Sequence, residues 1–353
     1  MRHRGSTTNC CGGFIGWATN RGTTVTNSLQ AGTFNINTEG CYTIARNPDN
    51  VSIKNTYYVN QLGGQGPGVN NINKVQLTTG EMITRLQGSQ SDPAWAQHIG
   101  IDTIPTPFDA KKISGENYVY QEGEQLKAQN FVIKDGTFLP IKISFTAEKA
   151  TMQRSMNTDK VYTASLPFDW TANSEDKVYT LSTTQEGKNV IYFERVEDKM
   201  LLANKPYLVV PGTELSELSA TDVTIGTTPS TLEPVNANGV NFNACLAGMD
   251  HESVMAAKAY ILQADKQWHP VSSENSNVHI APYRAYLTID NAQQAKSFSM
   301  MLGDGTATDI HNIGLKDADG TVNYYDLSGR YVGTSLEDMP KGVYIKNGKK
   351  IVK

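Results

Sequence analysis

The chain has 353 residues, enough for two or three domains, and a formal net charge of −4. That charge gives no sign of the basic surface typical of nucleic-acid-binding proteins. No apolar run approaches the roughly 20 residues that a membrane-spanning helix needs, so we expect neither a nucleic-acid partner nor a membrane span. Asn, Thr, Ser and Gly are plentiful, a composition typical of strands and turns, and the sequence predicts a mainly β protein without a cofactor.

The N-terminal residues 1–9 lack the apolar segment of a signal peptide, so we expect the chain to be a fragment of a longer protein. The cysteines are too few for a disulfide scaffold, and none belongs to a C-x-x-C pair that would indicate zinc or redox chemistry. A pairing of Cys10 or Cys11 with Cys41 stays open, and Cys245 lies far along the chain.

Three segments near the N-terminus are typical of stacked coils, and they are residues 11–17, 24–33 and 51–59. Each combines an apolar stretch with glycine or asparagine turns, and one such coil buries its apolar face only against a neighbour. The pattern resembles the GLUG repeat of bacterial surface proteins. The resemblance implies the end of a β-solenoid over residues 1–75.

Specific residues should form the corners of these coils. Asn27 and Asn55 are placed for stacked turns. Four glycines are expected where φ is positive or where backbones approach closely, and they are Gly12, Gly13, Gly16 and Gly32.

A short helix should follow the loop over residues 61–73. Thr78 and Glu81 have the spacing of a capping box, and Met82 and Leu86 form the apolar stripe. A second helical turn is predicted over residues 92–98, with Pro93 at the first helical position. Residues 76–110 resemble the cap segment that follows GLUG repeats, which implies that they cover the open end of the solenoid.

The middle region, residues 111–305, is predicted to consist of strands and turns. Asp135-Gly136 indicates a hairpin turn between two alternating strands. Several short strands at this spacing favour a β-sandwich or jelly roll. Residues 164–169, 204–209 and 282–287 resemble a β-rich region that precedes sorting tails in exported proteins, and this resemblance implies architecture only.

Motifs that would require catalysis or a metal are missing from the sequence. Residues 250–252 form an Asp-His-Glu cluster, which we interpret as a loop or a helix start. His269 and His279 flank a polar stretch, but zinc needs three or four converging ligands. Residues 317–320 resemble an incomplete calcium loop and are better explained by a β-turn.

Tryptophans are the remaining candidates for ligand contact. Trp170 and Trp268 each lie near a polar turn and would form a sugar-stacking platform if they were exposed side by side. Paired carboxylates for glycoside hydrolysis stay open, because nothing in the sequence singles out a pair. We predict no catalytic residue and no metal ligand.

The C-terminal residues 306–353 are predicted to form a small β unit. Val343 and Ile345 alternate with polar residues, and Asn347-Gly348 is a hairpin signal that would return Ile351 to the buried face. Two sequence blocks in this unit resemble the C-terminal sorting domain (Por secretion tail) of type IX secretion cargo. Their residues are Tyr325, Asp326, Leu327, Ser328, Gly329, Arg330, Pro340, Lys341, Gly342, Val343, Tyr344 and Ile345. The linker over residues 334–338 is shorter and more polar than the family pattern.

These resemblances imply a secreted or cell-surface protein, attached to the outer membrane, whose partner is the type IX secretion machinery. We expect a non-catalytic, adhesin-like protein that contacts a host or polysaccharide surface. The alternative is an accessory, carbohydrate-binding region of a polysaccharide-active enzyme whose catalytic domain lies upstream. A third hypothesis, in which the sandwich is itself a hydrolase, needs converging carboxylates or histidines.

Overall fold

A computed structural model describes residues 11–18, 22–33, 40–46, 48–64, 68–158, 160–184, 190–274, 277–290, 297–303, 324–326, 331–337, 339–346 and 349–353. The protein is mainly β, as predicted, with 45% strand and 7% helix. It forms two compact units, Met1–Met301 and Leu302–Lys353. The predicted domain boundaries within the first unit stay predictions.

The N-terminal sheet is parallel, and its strands are β1 (Thr23–Gln30), β2 (Val51–Tyr58) and β3 (Val69–Asn71) in that order. Isolated parallel bridges join Gly12 to Tyr42 and Tyr42 to Gly64. We call these strands and bridged segments the stack. Its core is small and consists largely of aliphatic side chains such as Ile44 and Ile53.

The turns of the stack follow the prediction at Asn27 and Asn55. Both have positive φ, 49° and 48°, and the Asn55 Nδ2 donates to the Asn27 Oδ1 at 2.7 Å. Gly12 and Gly13 are confirmed as points of close approach, because an added Cβ would lie 1.9 Å from the Ile15 carbonyl oxygen and 2.0 Å from the Thr43 carbonyl oxygen.

The prediction was wrong for two of the corner glycines. A Cβ on Gly16 would meet nothing within 4 Å, and one on Gly32 would meet only the flexible end of the Gln30 side chain. Neither position therefore requires glycine for lack of space, and neither has positive φ.

The predicted helix is confirmed as α1 (Glu81–Gln87), but its start differs. Gly80, with φ 82°, precedes it, and Thr78 instead closes a 3-10 turn by donating to the Val75 carbonyl oxygen. The helix packs its apolar side against the stack through a cluster formed by Leu77, Met82 and Leu86 with their partners.

The second predicted helical turn was wrong. Residues Trp95–His98 form strand β4, which pairs with β5 (Thr106–Pro107) and β6 (Tyr118–Glu122). Pairing overrides the helical signal of Pro93 because Ala96 and Gln97 are buried within this sheet.

The sheet that begins with β4 has six strands in the order β15-β8-β7-β6-β4-β5. Its other members are β7 (Gln125–Lys134), β8 (Phe145–Gln153) and β15 (Leu218–Ile225). Asp135-Gly136 does form a turn, but the hairpin prediction was wrong, because β7 and β8 are parallel. The connection over residues 135–144 therefore crosses back along the sheet instead of reversing the chain directly.

A curled ten-stranded sheet follows, in the order β16-β17-β20-β18-β19-β21-β12-β11-β14-β9. Its strands are β9 (Tyr162–Ala164), β11 (Lys177–Thr184), β12 (Val190–Arg195), β14 (Tyr207–Val210), β16 (Val235–Ala237), β17 (Val240–Cys245), β18 (Tyr260–Leu262), β19 (Gln267–Pro270), β20 (Arg284–Ile289) and β21 (Phe298–Gly303). A two-stranded sheet pairs β10 (Trp170–Thr171) with β13 (Met200–Leu201), and α2 (His251–Ala256) precedes β18.

The six-stranded and ten-stranded sheets share one apolar core. Phe131 and Phe145 from the first sheet belong to the same buried cluster as Val178 and Val209 from the second. We expect the burial of these apolar side chains to be the main contribution to the free energy of unfolding of the first unit.

The C-terminal unit contains a four-stranded sheet in the order β23-β22-β24-β25. Its strands are β22 (Tyr324–Tyr325), β23 (Tyr331–Gly333), β24 (Val343–Lys346) and β25 (Lys349–Val352). Lys346 pairs with Lys349, so the predicted two-residue hairpin is confirmed, although Asn347 and Gly348 lie outside the described residues. The buried face of β24 was predicted wrongly, because Tyr344 faces the small core and Val343 is exposed. The prediction for β25 is confirmed, because Ile351 packs against this core.

Candidate functional site

An open cavity of about 310 Å³ lies within the first unit, where the end of β8 meets β9 and the start of β20. Two arginines, Arg154 and Arg284, line it together with Tyr162. We call this cavity the arginine pocket. It places two cations from distant parts of the chain beside one another.

Arg154 comes directly after β8 and is only 7% exposed. Its Nη1 donates to the Thr163 carbonyl oxygen at 2.7 Å, and its Cζ lies 5.4 Å from the centre of the Tyr162 ring. Arg154 forms no ion pair with any described residue. The bond to Thr163 is the one hydrogen bond that its guanidinium, with five N–H donors, makes to the described residues.

Burial makes the charge of Arg154 costly. The pKa of Arg154 is lowered to about 9, first by burial and then by the nearby guanidinium of Arg284, while Asp135 and Tyr162 act in the opposite direction. The side chain is still cationic at neutral pH. A bound anion would compensate this unfavourable charge.

Arg284 is held in place by acceptors on both sides. Its Nη2 donates to Asp135 Oδ1 at 2.7 Å, and its Nη1 donates to the Pro282 carbonyl oxygen at 3.2 Å. The Gly136 amide also donates to Asp135 Oδ1, which fixes the carboxylate at the turn after β7. Asp135 is thus paired with Arg284 and not with Arg154, so this part of the pocket has a net positive charge.

The remaining wall of the pocket includes aliphatic residues, although polar atoms make up more of the pocket surface than apolar atoms do. Ile261, Leu262, Ile280 and Ala281 line it, and the exposed His279 lies among them. A fixed cation in a mostly polar cavity with some aliphatic lining suits a small polar ligand that has an anionic group.

A second polar cluster joins Asp265, His269 and Ser297. Asp265 Oδ2 lies 2.7 Å from His269 Nε2, and Ser297 Oγ lies 2.8 Å from His269 Nδ1. Although partial burial raises the pKa of Asp265, hydrogen bonds from His269 and the Gln267 amide lower it below its usual value.

These are the residue types of a serine-hydrolase triad, but their arrangement differs. In that mechanism a buried carboxylate holds the histidine through Nδ1, and the serine lies at Nε2. Here the contacts are reversed, and the Asp265 side chain is 47% exposed. We interpret the cluster as a local contact that stabilises the β18–β19 hairpin.

The predicted stacking platform of Trp170 and Trp268 needs correction. Trp170 is 4% exposed and Trp268 is fully buried, so neither ring offers a face to a ligand in this fold. Trp268 stacks on Phe193 with ring centres 6.0 Å apart and meets Phe242 edge-on. Both tryptophans therefore belong to the buried core, although each lies next to a polar turn in the sequence.

The histidines named from the sequence do not converge. His251 contacts the Val278 carbonyl oxygen, His269 belongs to the cluster described above, and His279 contacts the Asn277 carbonyl oxygen. Asp250 caps α2 by accepting from the Ser253 amide, which agrees with the predicted helix start. Within the described ranges, no three His, Cys, Asp or Glu side chains form a group suited to a metal ion.

The residues of the sorting resemblance lie in the C-terminal unit. Tyr325 and Asp326 are described, whereas residues 327–330 lie outside the described part of the chain, as do residues 317–320. Tyr325 pairs with Ile345 across β22 and β24, and the Tyr344 hydroxyl donates to the Pro340 carbonyl oxygen at 2.7 Å. One described residue of each motif block, Tyr325 and Ile345, therefore lies on adjacent strands of one sheet.

Neither α1 nor α2 has the length and apolar character that crossing a membrane requires. No family model, curated protein or solved structure shows significant similarity to this chain.

Proposed function

We propose that the chain is a non-catalytic, adhesin-like protein of the cell surface, or a secreted one, with a C-terminal signal for export and anchoring. The observation that carries the proposal is the pairing of Tyr325 with Ile345. It puts one residue from each of the two blocks that resemble a type IX sorting domain on adjacent strands of a separate compact unit, Leu302–Lys353. The partner of this unit is the type IX secretion machinery, and the destination is the outer membrane surface.

The first unit supplies the spacer and the binding surface in this proposal. The stack is the end of a GLUG-like β-solenoid, and α1 serves as its cap. The asparagine contact between neighbouring coils and the apolar packing of α1 support this assignment. The two large sheets around a shared core form a sandwich or jelly-roll region that presents the arginine pocket.

The alternative is an accessory carbohydrate-binding region of a polysaccharide-active enzyme. The arginine pocket favours it, because Tyr162 and the neighbouring apolar side chains suit a sugar ring. Both proposals give this chain a binding role. They differ in what adjoins it: further repeats indicate an adhesin, and a catalytic domain indicates an enzyme.

The test is surface display of the whole chain behind a signal peptide, in bacteria with and without type IX secretion. We expect display only in cells with the system, and loss of display when Leu302–Lys353 is deleted. Lys149→Ala, on an exposed lysine of the first unit, is the control and should be displayed normally. Retention of the intact chain in the periplasm of both strains would contradict the export proposal.

A further inference from the structure

We propose that the arginine pocket binds the carboxylate of an acidic sugar, such as a uronic acid residue of a polysaccharide. The guanidinium of Arg154 would hold the carboxylate, and the mixed polar and aliphatic wall would contact the sugar ring. This site is independent of the export signal, since all its residues belong to the first unit.

An anionic ligand follows from the state of Arg154. Buried charged groups are normally paired, because removing an ion from water without a partner is costly. Arg154 is 7% exposed, donates to one backbone carbonyl and has no carboxylate partner among the described residues. Its guanidinium lines a cavity that an anion can enter.

A carboxylate fits better than a phosphate. The planar guanidinium fork can bind either anion through two parallel hydrogen bonds, so the charge of the site decides between them. Asp135 already neutralises Arg284, so the two arginines leave a single net positive charge in the pocket. A dianionic phosphate would bring surplus negative charge close to Asp135, whereas a monoanion balances the site.

We infer a sugar as the ligand from the volume of the cavity and from the residues that line it. A cavity of about 310 Å³ is at the small end of ligand pockets, which suits one sugar residue. The lining combines polar groups with aliphatic residues such as Ile261 and Ala281, and this mixture matches a sugar ring, which has both hydroxyl groups and C–H faces.

The experiment is titration calorimetry of the full chain with glucuronate, glucose and inorganic phosphate as separate probes. We expect glucuronate to bind and glucose to bind at least about tenfold more weakly, because glucose lacks the charged group that Arg154 recognises. Phosphate should also bind more weakly than glucuronate.

Two variants test the location of the site. Arg154→Met removes the cation, and Ala281→Leu fills the cavity while leaving Arg154 in place. Each should weaken glucuronate binding about tenfold or more. The matched control is Arg85→Met, which removes an exposed arginine of α1 outside the pocket and should bind glucuronate normally. Circular dichroism melts establish that each variant is folded, and the Ala281→Leu result decides the matter if Arg154→Met does not fold.

Three results would overturn the proposal. Glucuronate that binds no better than glucose would remove the role of the carboxylate. Phosphate that binds more tightly than glucuronate would assign the pocket to a different anion. Binding that is unchanged in Ala281→Leu would place the site elsewhere, and none of these results bears on export.

Discussion

The stack and the middle region bury their apolar groups in different ways. The stack has a small core, and its turns are fixed by polar contacts such as the one between Asn27 and Asn55, which are 28 residues apart. The middle region instead packs two large sheets on a shared core that is rich in aromatic side chains. A polar contact between neighbouring coils fixes the turns of the first region, whereas burial of apolar side chains between two sheets holds the second together.

The largest expected effect is on the middle region. Trp268→Ala should lower its free energy of unfolding by about 3–5 kcal/mol, because a fully buried ring between Phe193 and Phe242 would be replaced by a cavity. Urea denaturation followed by circular dichroism measures this. Trp17→Ala in the stack is the control: that ring is 62% exposed, so the loss should be about 1 kcal/mol or less. If both variants lost the same free energy of unfolding, the two regions would not differ in how strongly they depend on buried aromatic side chains.

An intermediate effect is expected in the stack. Asn55→Ala should destabilise the protein by about 2 kcal/mol, since alanine tolerates positive φ poorly and also loses the hydrogen bond to Asn27. Asn55→Gly keeps the backbone conformation and loses only the side-chain contacts. Thermal denaturation of both variants separates the two causes, and a smaller loss is expected for glycine. A glycine variant as unstable as the alanine variant would mean that backbone conformation contributes little.

The smallest effect is pH-dependent and lies at α2. The pKa of Asp250 is lowered by hydrogen bonds from the Ser253 side chain and amide. A lowered pKa in the folded state means that this stabilisation is present above the unfolded value of about 3.9 and is lost as the pH falls through the folded value.

The melting temperature of Asp250→Ala should therefore lie below that of the wild type at neutral pH, and the gap should narrow as the solution is acidified below about pH 4. Thermal melts across this pH range provide the check. Ser272→Ala gives a comparison at a polar residue outside the cap, and its gap should not change with pH. If the difference in melting temperature between Asp250→Ala and the wild type widened in acid, it would contradict a lowered pKa for Asp250.

The sequence was informative where structure depends on neighbouring residues. Asparagine tolerates positive φ, and the turns predicted at Asn27 and Asn55 do have it. Glycine permits close backbone approach, and the structure shows such approach at Gly12 and Gly13. The helix α1 was also found from its apolar stripe. Each signal lies within a few residues of the element that it specifies.

Strand pairing in the middle region was harder to predict, because a strand does not carry the identity of its partner. Asp135-Gly136 indicates a turn correctly, yet β7 and β8 are parallel and not a hairpin. In the C-terminal unit the alternation was correct, but its phase was not, since Tyr344 and not Val343 faces the core. A period of two fits either face equally well.

The arginine pocket escaped sequence reasoning for a similar reason. Arg154 and Arg284 are far apart in the chain, and a net charge of −4 conceals a local pair of cations. The available signal was an arginine directly after the largely buried end of β8. Trp268 was wrongly predicted to contact a ligand. Its polar neighbours in the sequence belong to a turn, but the ring itself is buried in the core.

The distribution of the four tryptophans gives the molecule a built-in optical label for each region. Trp17 is exposed in the stack, Trp95 is half-buried, and Trp170 and Trp268 are shielded from solvent. Iodide should therefore quench the fluorescence of the stack while leaving most emission of the middle region intact. A rise in iodide quenching during denaturation then reports the opening of the middle region, because Trp17 is already accessible in the folded protein.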